Sequence, residues 1–176
     1  MKMRKTLKKF NILAINPNKM QKLDKIDRKI LDILIDNTRT PFTDIAKRLL
    51  ISAGTVHVRV KKMEDLGIIK GSSLTLDYKS LGYNFIAYVG VLIDRSRRTY
   101  EIIEELKKKP YVTVAHITTG KYNIFCKIRA KGTEHAREII FSIDDVEGVL
   151  RTETMISLEE SINDKKRLMK NIFQEL

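Results

Sequence analysis

Residues 43–66, TDIAKRLLISAGTVHVRVKKMEDL, constrain the fold of this chain more than any other stretch. Side chains three and four apart share a helical face, and Ile45, Ala46 and Leu49 form such a set. Past a corner at Leu50-Ile51, Ala53, Val56, Val60 and Met63 form a second. Two short amphipathic helices joined so tightly predict a helix-turn-helix. Thr43 and Ser52 are placed to cap the two helices, each hydroxyl accepting from an orphan backbone N–H. The corner is unusual in one respect. Glycine is common where Leu50 stands, and a leucine there bears strain if the turn needs positive φ.

The second helix indicates where function lies. Opposite its apolar stripe stand Gly54, Thr55, His57, Val58, Lys61 and Lys62, with Arg59 at the flank and Ser52 at the start. A short, basic, donor-rich face suits a helix lying in a DNA major groove. The expected DNA-binding residues are therefore Ser52, Thr55, His57, Val58, Arg59, Lys61 and Lys62. Thr55, His57 and Lys61 are expected at base edges, and Arg59 and Lys62 at phosphates or flanking the groove. A solvated surface helix has the same local pattern, so the distribution of charge decides. Of the net charge of +12, residues 1–24 hold seven Lys and Arg against one Asp, and residues 25–71 hold ten against six. The remaining residues are nearly balanced, at seventeen against fifteen. A basic half beside a near-neutral half joins a polyanion-binding module to a domain of another kind.

Asp24 can cap a helix in which Ile26, Ile30, Ile33 and Leu34 repeat, ended by Asn37-Thr38 and by Thr40 before Pro41. This completes a three-helix unit with Gly67 as its C′ residue. Residues 68–73 read as the turn into a short hairpin or wing. Leu74, Leu76 and Tyr78 alternate as a strand does, and Leu81-Gly82-Tyr83-Asn84 turns the chain. Strands are then predicted over 85–93, 112–118, 122–130 and 149–158, and helices over 97–109 and 133–142. Thr119-Gly120-Lys121 is the turn between the second and third strands. The order βαββαβ predicts a ferredoxin-like sandwich, and the fold class is α+β. The domains are a basic N-terminal extension (1–22), a helix-turn-helix domain (23–71), a strand linker (72–84), the ferredoxin-like domain (85–158) and a helical C-terminal extension (159–176). Both sheet faces are apolar: Phe85, Ala87, Val89, Val91 and Ile93 on one, Ile86, Tyr88 and Leu92 on the other. Two helices cover one face, so the other is expected to meet a second copy. In the C-terminal extension, Ile162, Leu168, Met169, Ile172 and Phe173 form a stripe suited to packing on a neighbour.

Several classes are disfavoured. A lone cysteine, Cys126, makes no internal disulfide and suits a reducing cytoplasm, where it reads as a small core residue. The apolar run 12–15 is too short for a signal peptide, and no stretch has the length of a membrane span, so a cytoplasmic protein is expected. His57, His116 and His135 lack metal-ligand spacing, so neither metal nor cofactor is expected. Small βαββαβ hydrolases cradle phosphate in a Gly-rich loop with an Arg. Here Gly120 stands alone, and no enzyme is expected.

The stretches LDKIDRKILDILIDNTRT, ISAGTVHVRVKKMEDLGIIKG, LDYKSLGYN, ITTGKYNIFCKIRA and RTET, in this order, resemble the Lrp/AsnC family of transcription regulators from about Leu23 to Leu158. AGTVHVRVKKM and TTGKYNIF are most similar to its asparagine-responsive branch. The resemblance implies a winged helix-turn-helix followed by a RAM-type domain, and dimers through the C-terminal sheets assembling into octamers. It also implies a small effector, usually an amino acid, bound between dimers. The implied effector residues are Thr118, Thr119, Gly120, Lys121 and Tyr122 with Thr152, Glu153 and Thr154. A glycine turn offers backbone N–H groups to a carboxylate, and Glu153 and the threonine hydroxyls suit an ammonium or an amide. Leucine-type members often carry an acidic residue in this turn, where Lys121 and Asn123 stand here, which weakens leucine and leaves the effector open; the resemblance to the asparagine-responsive branch makes asparagine the first candidate. The expected function is a sequence-specific regulator of transcription modulated by an amino acid. The alternative is a nucleoid-associated architectural protein, which differs in its ratio of specific to non-specific DNA affinity.

Overall fold

The computed structural model describes residues 23–175; the basic extension 1–22 lies outside them. The described residues divide into two compact units, one holding residues 23–74 together with 164–175, the other residues 75–163.

The first unit is built on α1 (Lys25–Asp36), α2 (Phe42–Leu49) and α3 (Ala53–Asp65). Leu23, Ile30, Leu31, Ile45, Ala46, Val56, Val60 and Met63 are buried together as its core, the stripes their helical spacing predicts. Asp24 caps α1 in a capping box, accepting from the Ile26 and Asp27 amides at 2.8 Å while Asp27 accepts from the Asp24 amide. The cap expected at Thr43 is not made. α2 starts two residues earlier than a Thr43 cap implies, at Phe42 with Pro41 as its N-cap, because Pro41 enters with φ −59 and its carbonyl takes the Asp44 and Ile45 amides at 2.9 and 3.1 Å. Thr43 is thereby inside the first turn.

The corner of the helix-turn-helix does need positive φ. Leu50 sits at φ 55, ψ 45, with the Ile51 amide on the Ala46 carbonyl at 3.0 Å and the Leu50 amide on that of Lys47 at 3.4 Å. These two bonds are a Schellman motif with a leucine in the position glycine prefers. α3 ends in the same motif with the usual residue. Gly67 has φ 66, the Ile68 amide reaches the Met63 carbonyl at 2.9 Å and the Gly67 amide reaches that of Glu64 at 2.7 Å.

The expected hairpin at 68–73 and strand through Leu74, Leu76 and Tyr78 are absent from the described structure. Ile68 and Ile69 lean on the helical core, but Leu74, Leu76 and Tyr78 are exposed. Alternation marks a strand only where a second strand takes up its hydrogen bonds, and none does so here.

α6 (Lys165–Glu175) packs on α1 of its own chain, with Met169 and Ile172 half-buried. Leu168 is exposed, Ile162 precedes the helix, and the side chain of Phe173 lies outside those described. Lys166 Nζ donates to the Asp36 carbonyl at 2.9 Å, and Lys170 Nζ lies 2.9 Å from its carboxylate. α1 has no basic residue in its last turn. α6 thus supplies cations to a helix end whose orphan carbonyls carry negative partial charge.

The second unit is the βαββαβ sandwich. β1 (Phe85–Ile93), β2 (Val112–Ile117), β3 (Ile124–Ala130) and β4 (Val149–Ile156) form an antiparallel sheet in the order β2-β3-β1-β4. α4 (Thr99–Lys107), entered through a 3-10 turn at Ser96–Arg98, and α5 (Thr133–Asp144) cover one face. Ala87, Val89, Val91, Ile124, Cys126 and Ile128 are buried beneath them. Burial pushes the Cys126 thiol up to about 11, so it is an inert core residue. On the other face Tyr88 stacks on Phe125 with ring centroids 5.8 Å apart. Residues 75–84, expected as a separate linker, belong to this unit: the Arg129 guanidinium lies 4.7 Å from the Tyr78 ring and donates to the Tyr83 carbonyl at 3.2 Å. Among the described residues no helix is long and apolar enough to cross a membrane.

Candidate functional site

Two constellations gather the predicted residues, one in each unit. In the first, Ser52 caps α3 by accepting the Thr55 amide at 3.0 Å, and the two hydroxyls lie 2.8 Å apart. Val56, Val60 and Met63 anchor the helix in the core, which turns Thr55, His57, Val58, Lys61 and Lys62 outward. The first turn of α3 holds no acidic residue, so nothing there offsets the positive end of the helix dipole. Lys61 pairs with Asp65 at 3.2 Å along the helix, and the His57 ring meets Phe42 edge-on at 6.1 Å.

Arg59 lies at the flank of this face. Its side chain is turned toward α1 and bonds Asp24 and the fully buried Asp27. The carboxylates of Asp24 and then Asp27 raise its pKa further. Lys62 Nζ reaches the second oxygen of Asp27 at 3.3 Å. The two residues expected at phosphates or flanking the groove thus both reach Asp27, Arg59 with a partly buried side chain and Lys62 half-exposed beside it. The signal that could have revealed this is Asp27 itself, a carboxylate at an otherwise inward helical position that needs a partner if buried.

In the second unit, Glu153 of β4 is the hub. Tyr122 donates its hydroxyl to Glu153 Oε2 at 2.8 Å, Lys121 pairs with the same oxygen, and Arg151 pairs with the other. The Lys121 and Tyr122 hydrogen bonds hold the Glu153 carboxyl below its usual range, and Glu153 in turn raises Lys121. The turn is pinned from both ends. Thr118 Oγ1 donates to the Tyr122 carbonyl at 2.5 Å, and Asn123 Oδ1 accepts the Ile93 amide at 3.1 Å.

The Tyr122 ring lies over Gly90 of β1. A Cβ on Gly90 would fall 2.5 Å from the ring, so only glycine leaves room. Gly90 pairs with Glu153 on one side and Phe125 on the other. Gly90, Glu153 and Tyr122 therefore share the sheet face left open by the helices. Gly90 was not among the predicted residues, although a glycine inside a β-branched run signals close approach. Thr152 and Thr154 pair with Val91 and Val89. Strand alternation sends them toward the opposite face, so of the implied residues Lys121, Tyr122 and Glu153 come together and these threonines do not join them. Gly120 keeps an ordinary φ with open space around it, so the turn itself does not require a glycine.

Residues 23–70 match the family model for a winged helix-turn-helix DNA-binding domain, and residues 86–166 match the Lrp/AsnC ligand binding domain. Regulatory protein AsnC of Haemophilus influenzae is 34% identical over 144 residues, covering 81% of this chain and 96% of the relative. AsnC of Escherichia coli K12 is 33% identical over 141 residues, covering 80% and 93%. The solved structure of E. coli AsnC superposes with a TM-score of 0.78 at 32% identity, covering 81% of this chain and 96% of that one. A Neisseria meningitidis transcriptional regulator solved as its L-Met complex shares the fold, with a TM-score of 0.76 at 23% identity over 81% and 94%.

Proposed function

The chain belongs to the Lrp/AsnC family of transcription regulators, with a DNA-binding helix-turn-helix and a ligand-binding domain, and we propose that an amino acid received at the Lys121–Glu153 pair sets its affinity for operator DNA. The observation that carries this reading is the Glu153 hub. A carboxylate, an ammonium and a phenol converge there on one exposed point beside the 118–123 turn. An amino acid presents the same two charges, its ammonium suited to Glu153 and its carboxylate to Lys121, Arg151 and the turn amides. Asparagine is the first candidate, and its side-chain amide suits the hydroxyls of Thr118 and Thr119. The L-Met complex of the Neisseria relative supports the class of ligand.

In this reading Ser52, Thr55, His57, Val58, Lys61 and Lys62 face duplex DNA, and Arg59 positions α3 against α1. The apolar open face of the sheet supports a dimer, assembling further to an octamer, in the cytoplasm. A dimer reads half-sites about one helical turn, ~34 Å, or a multiple apart. The ligand regulates only if it prefers one assembly or DNA-binding state, because equal affinity shifts nothing. A useful coupling changes DNA affinity by roughly five- to a hundredfold. No catalytic group is assigned.

Calorimetry with the twenty amino acids on wild type and Glu153→Ala, followed by operator titration with and without the binder, tests the reading. Binding in the millimolar range or tighter that Glu153→Ala loses is the expected result. An unaffected Glu153→Ala variant refutes the pocket. DNA affinity indifferent to sequence would instead identify an architectural protein.

A further inference from the structure

We propose that Val58, standing beside the side-chain-free Gly54, reads the 5-methyl group of a thymine in the major groove; the proposal rests on the DNA-facing role of α3 argued above. Val58 is 67% exposed at the middle of a face whose other members are polar or cationic. Its helical neighbours at three and four residues are Thr55, Gly54, Lys61 and Lys62. An exposed valine adds little to the core and is a poorer helix former than alanine or lysine.

Gly54 is equally unexplained by the fold. It lies in the first turn of α3 without a positive φ, and among the described residues a Cβ there would meet only Ser52 Oγ, at an ordinary 3.8 Å. Glycine is the least favourable residue in a helix after proline. Neither backbone strain nor a neighbour among the described residues requires it. What benefits is a partner approaching the helix backbone closely at this point.

Gly54 and Val58 lie in a shallow concavity of about 550 Å³ lined also by Thr55, Lys62, Arg59 and Asp24, the carboxylate of Asp24 being paired with Arg59. The surrounding charge decides what kind of partner fits. Residues 25–71 hold ten Lys and Arg against six acidic residues, which favours a polyanion over an apolar protein surface. Among the major-groove edges of DNA, only thymine presents an apolar group, its methyl; the others present donors and acceptors. Val58 has neither donor nor acceptor. A polar base edge desolvated against it is left unpaired, so the same contact that accepts thymine disfavours the other bases.

The test uses the full chain and a duplex enriched from random sequence by repeated selection. Each thymine of the selected site is replaced in turn by deoxyuridine, which removes only the methyl group. At one position per half-site wild type should lose about fourfold in affinity, the worth of burying one methyl. Val58→Ala should bind the thymine site more weakly and no longer distinguish thymine from deoxyuridine there. Gly54→Ala should raise the melting temperature and yet weaken binding to the selected site. Wild type indifferent to every replacement, or Val58→Ala retaining wild-type discrimination, overturns the proposal and leaves DNA recognition by α3 standing. Unweakened binding by Gly54→Ala overturns the role given to the glycine. If no sequence is enriched, the DNA-reading role of α3 fails and the proposal with it.

Discussion

Arg59 Nη1 lies 2.7 Å from Oδ1 of Asp27, a carboxylate with no exposure to solvent. This bond ties α3 to α1 and fixes the angle at which the exposed face of α3 is presented. A buried carboxylate that loses a charged partner costs more than the pair contributes when intact, an effect that Lys62 Nζ at 3.3 Å and the Asp24 amide moderate here. Arg59→Ala should destabilise the first unit by about 2–3 kcal/mol, below the fully buried case because Arg59 is partly exposed. Arg59 reaches Asp24 and Asp27 through the single nitrogen Nη1, so Arg59→Lys should recover part of this to the extent that the shorter, more strongly hydrated ammonium reaches the same point. Chemical denaturation followed by circular dichroism measures both.

Asp24 gives the same latch a pH dependence. Burial raises its pKa, but the Arg59 hydrogen bond, the Asp27 and Ile26 amides and the guanidinium charge together bring it below the ordinary 3.8. A carboxyl with a depressed folded pKa stabilises fully above its unfolded value and loses that contribution as pH falls through the folded one. Asp24→Asn keeps an acceptor for the helix cap and removes the charge. It should melt below wild type at about pH 7, and the gap should narrow as pH falls below about 4 and through the depressed folded value.

Leu50 is 92% exposed at φ 55, so its side chain gives the turn no packing while its Cβ carries the left-handed penalty. Leu50→Gly should stabilise the first unit by about 0.5–1 kcal/mol, the relief of strain less the extra entropy glycine gives the unfolded chain. Leu50→Ala should change little, because it keeps the Cβ. A Leu50→Gly variant less stable than wild type would show that the turn is held by contacts of the leucine.

What the sequence made legible here was mostly local. Asp24, Ser52 and Gly67 cap their helices because capping depends on residues within one turn, and the strain at Leu50 could be read from its position in the corner. The βαββαβ order followed from periodicity. What could not be read was which distant group each long side chain meets. Arg59 lies on the flank of α3, where a small rotation separates a phosphate contact from the Asp27 contact it makes. The stripe on α6 showed that it packs, but not that its seat is α1. Thr152, Glu153 and Thr154 are adjacent in sequence, and strand alternation alone forbids a shared face. Which one meets Tyr122 depends on the β1–β4 register opposite Gly90.

Removing α6 separates its local role from any role in DNA contact. Without residues 164–176, the Asp36 carbonyl and carboxylate lose Lys166 and Lys170, and the apolar seat of Met169 is uncovered. The amides at the C-terminal end of α1 should then exchange with deuterium faster, while those of α3, capped by Ser52 and Gly67, change less. Equal exchange across α1 in the two proteins would rule out a stabilising contact by α6.

Gly90 and Tyr122 are expected to be coupled. With a Cβ at Gly90 only 2.5 Å from the Tyr122 ring, Gly90→Ala forces the ring off the sheet and takes its hydroxyl from Glu153. Overpacking of this kind costs about 1–3 kcal/mol. Tyr122→Ala removes the ring, so the added methyl of Gly90→Ala then has space. The double variant should therefore be about as stable as Tyr122→Ala alone, and the cycle should return a coupling close to the whole cost of Gly90→Ala. Both single variants should also weaken amino-acid binding, because each separates Tyr122 from Glu153. If the stability costs simply add, Gly90 is required for something other than the tyrosine above it, and the geometry assigned to the ligand site fails at its base.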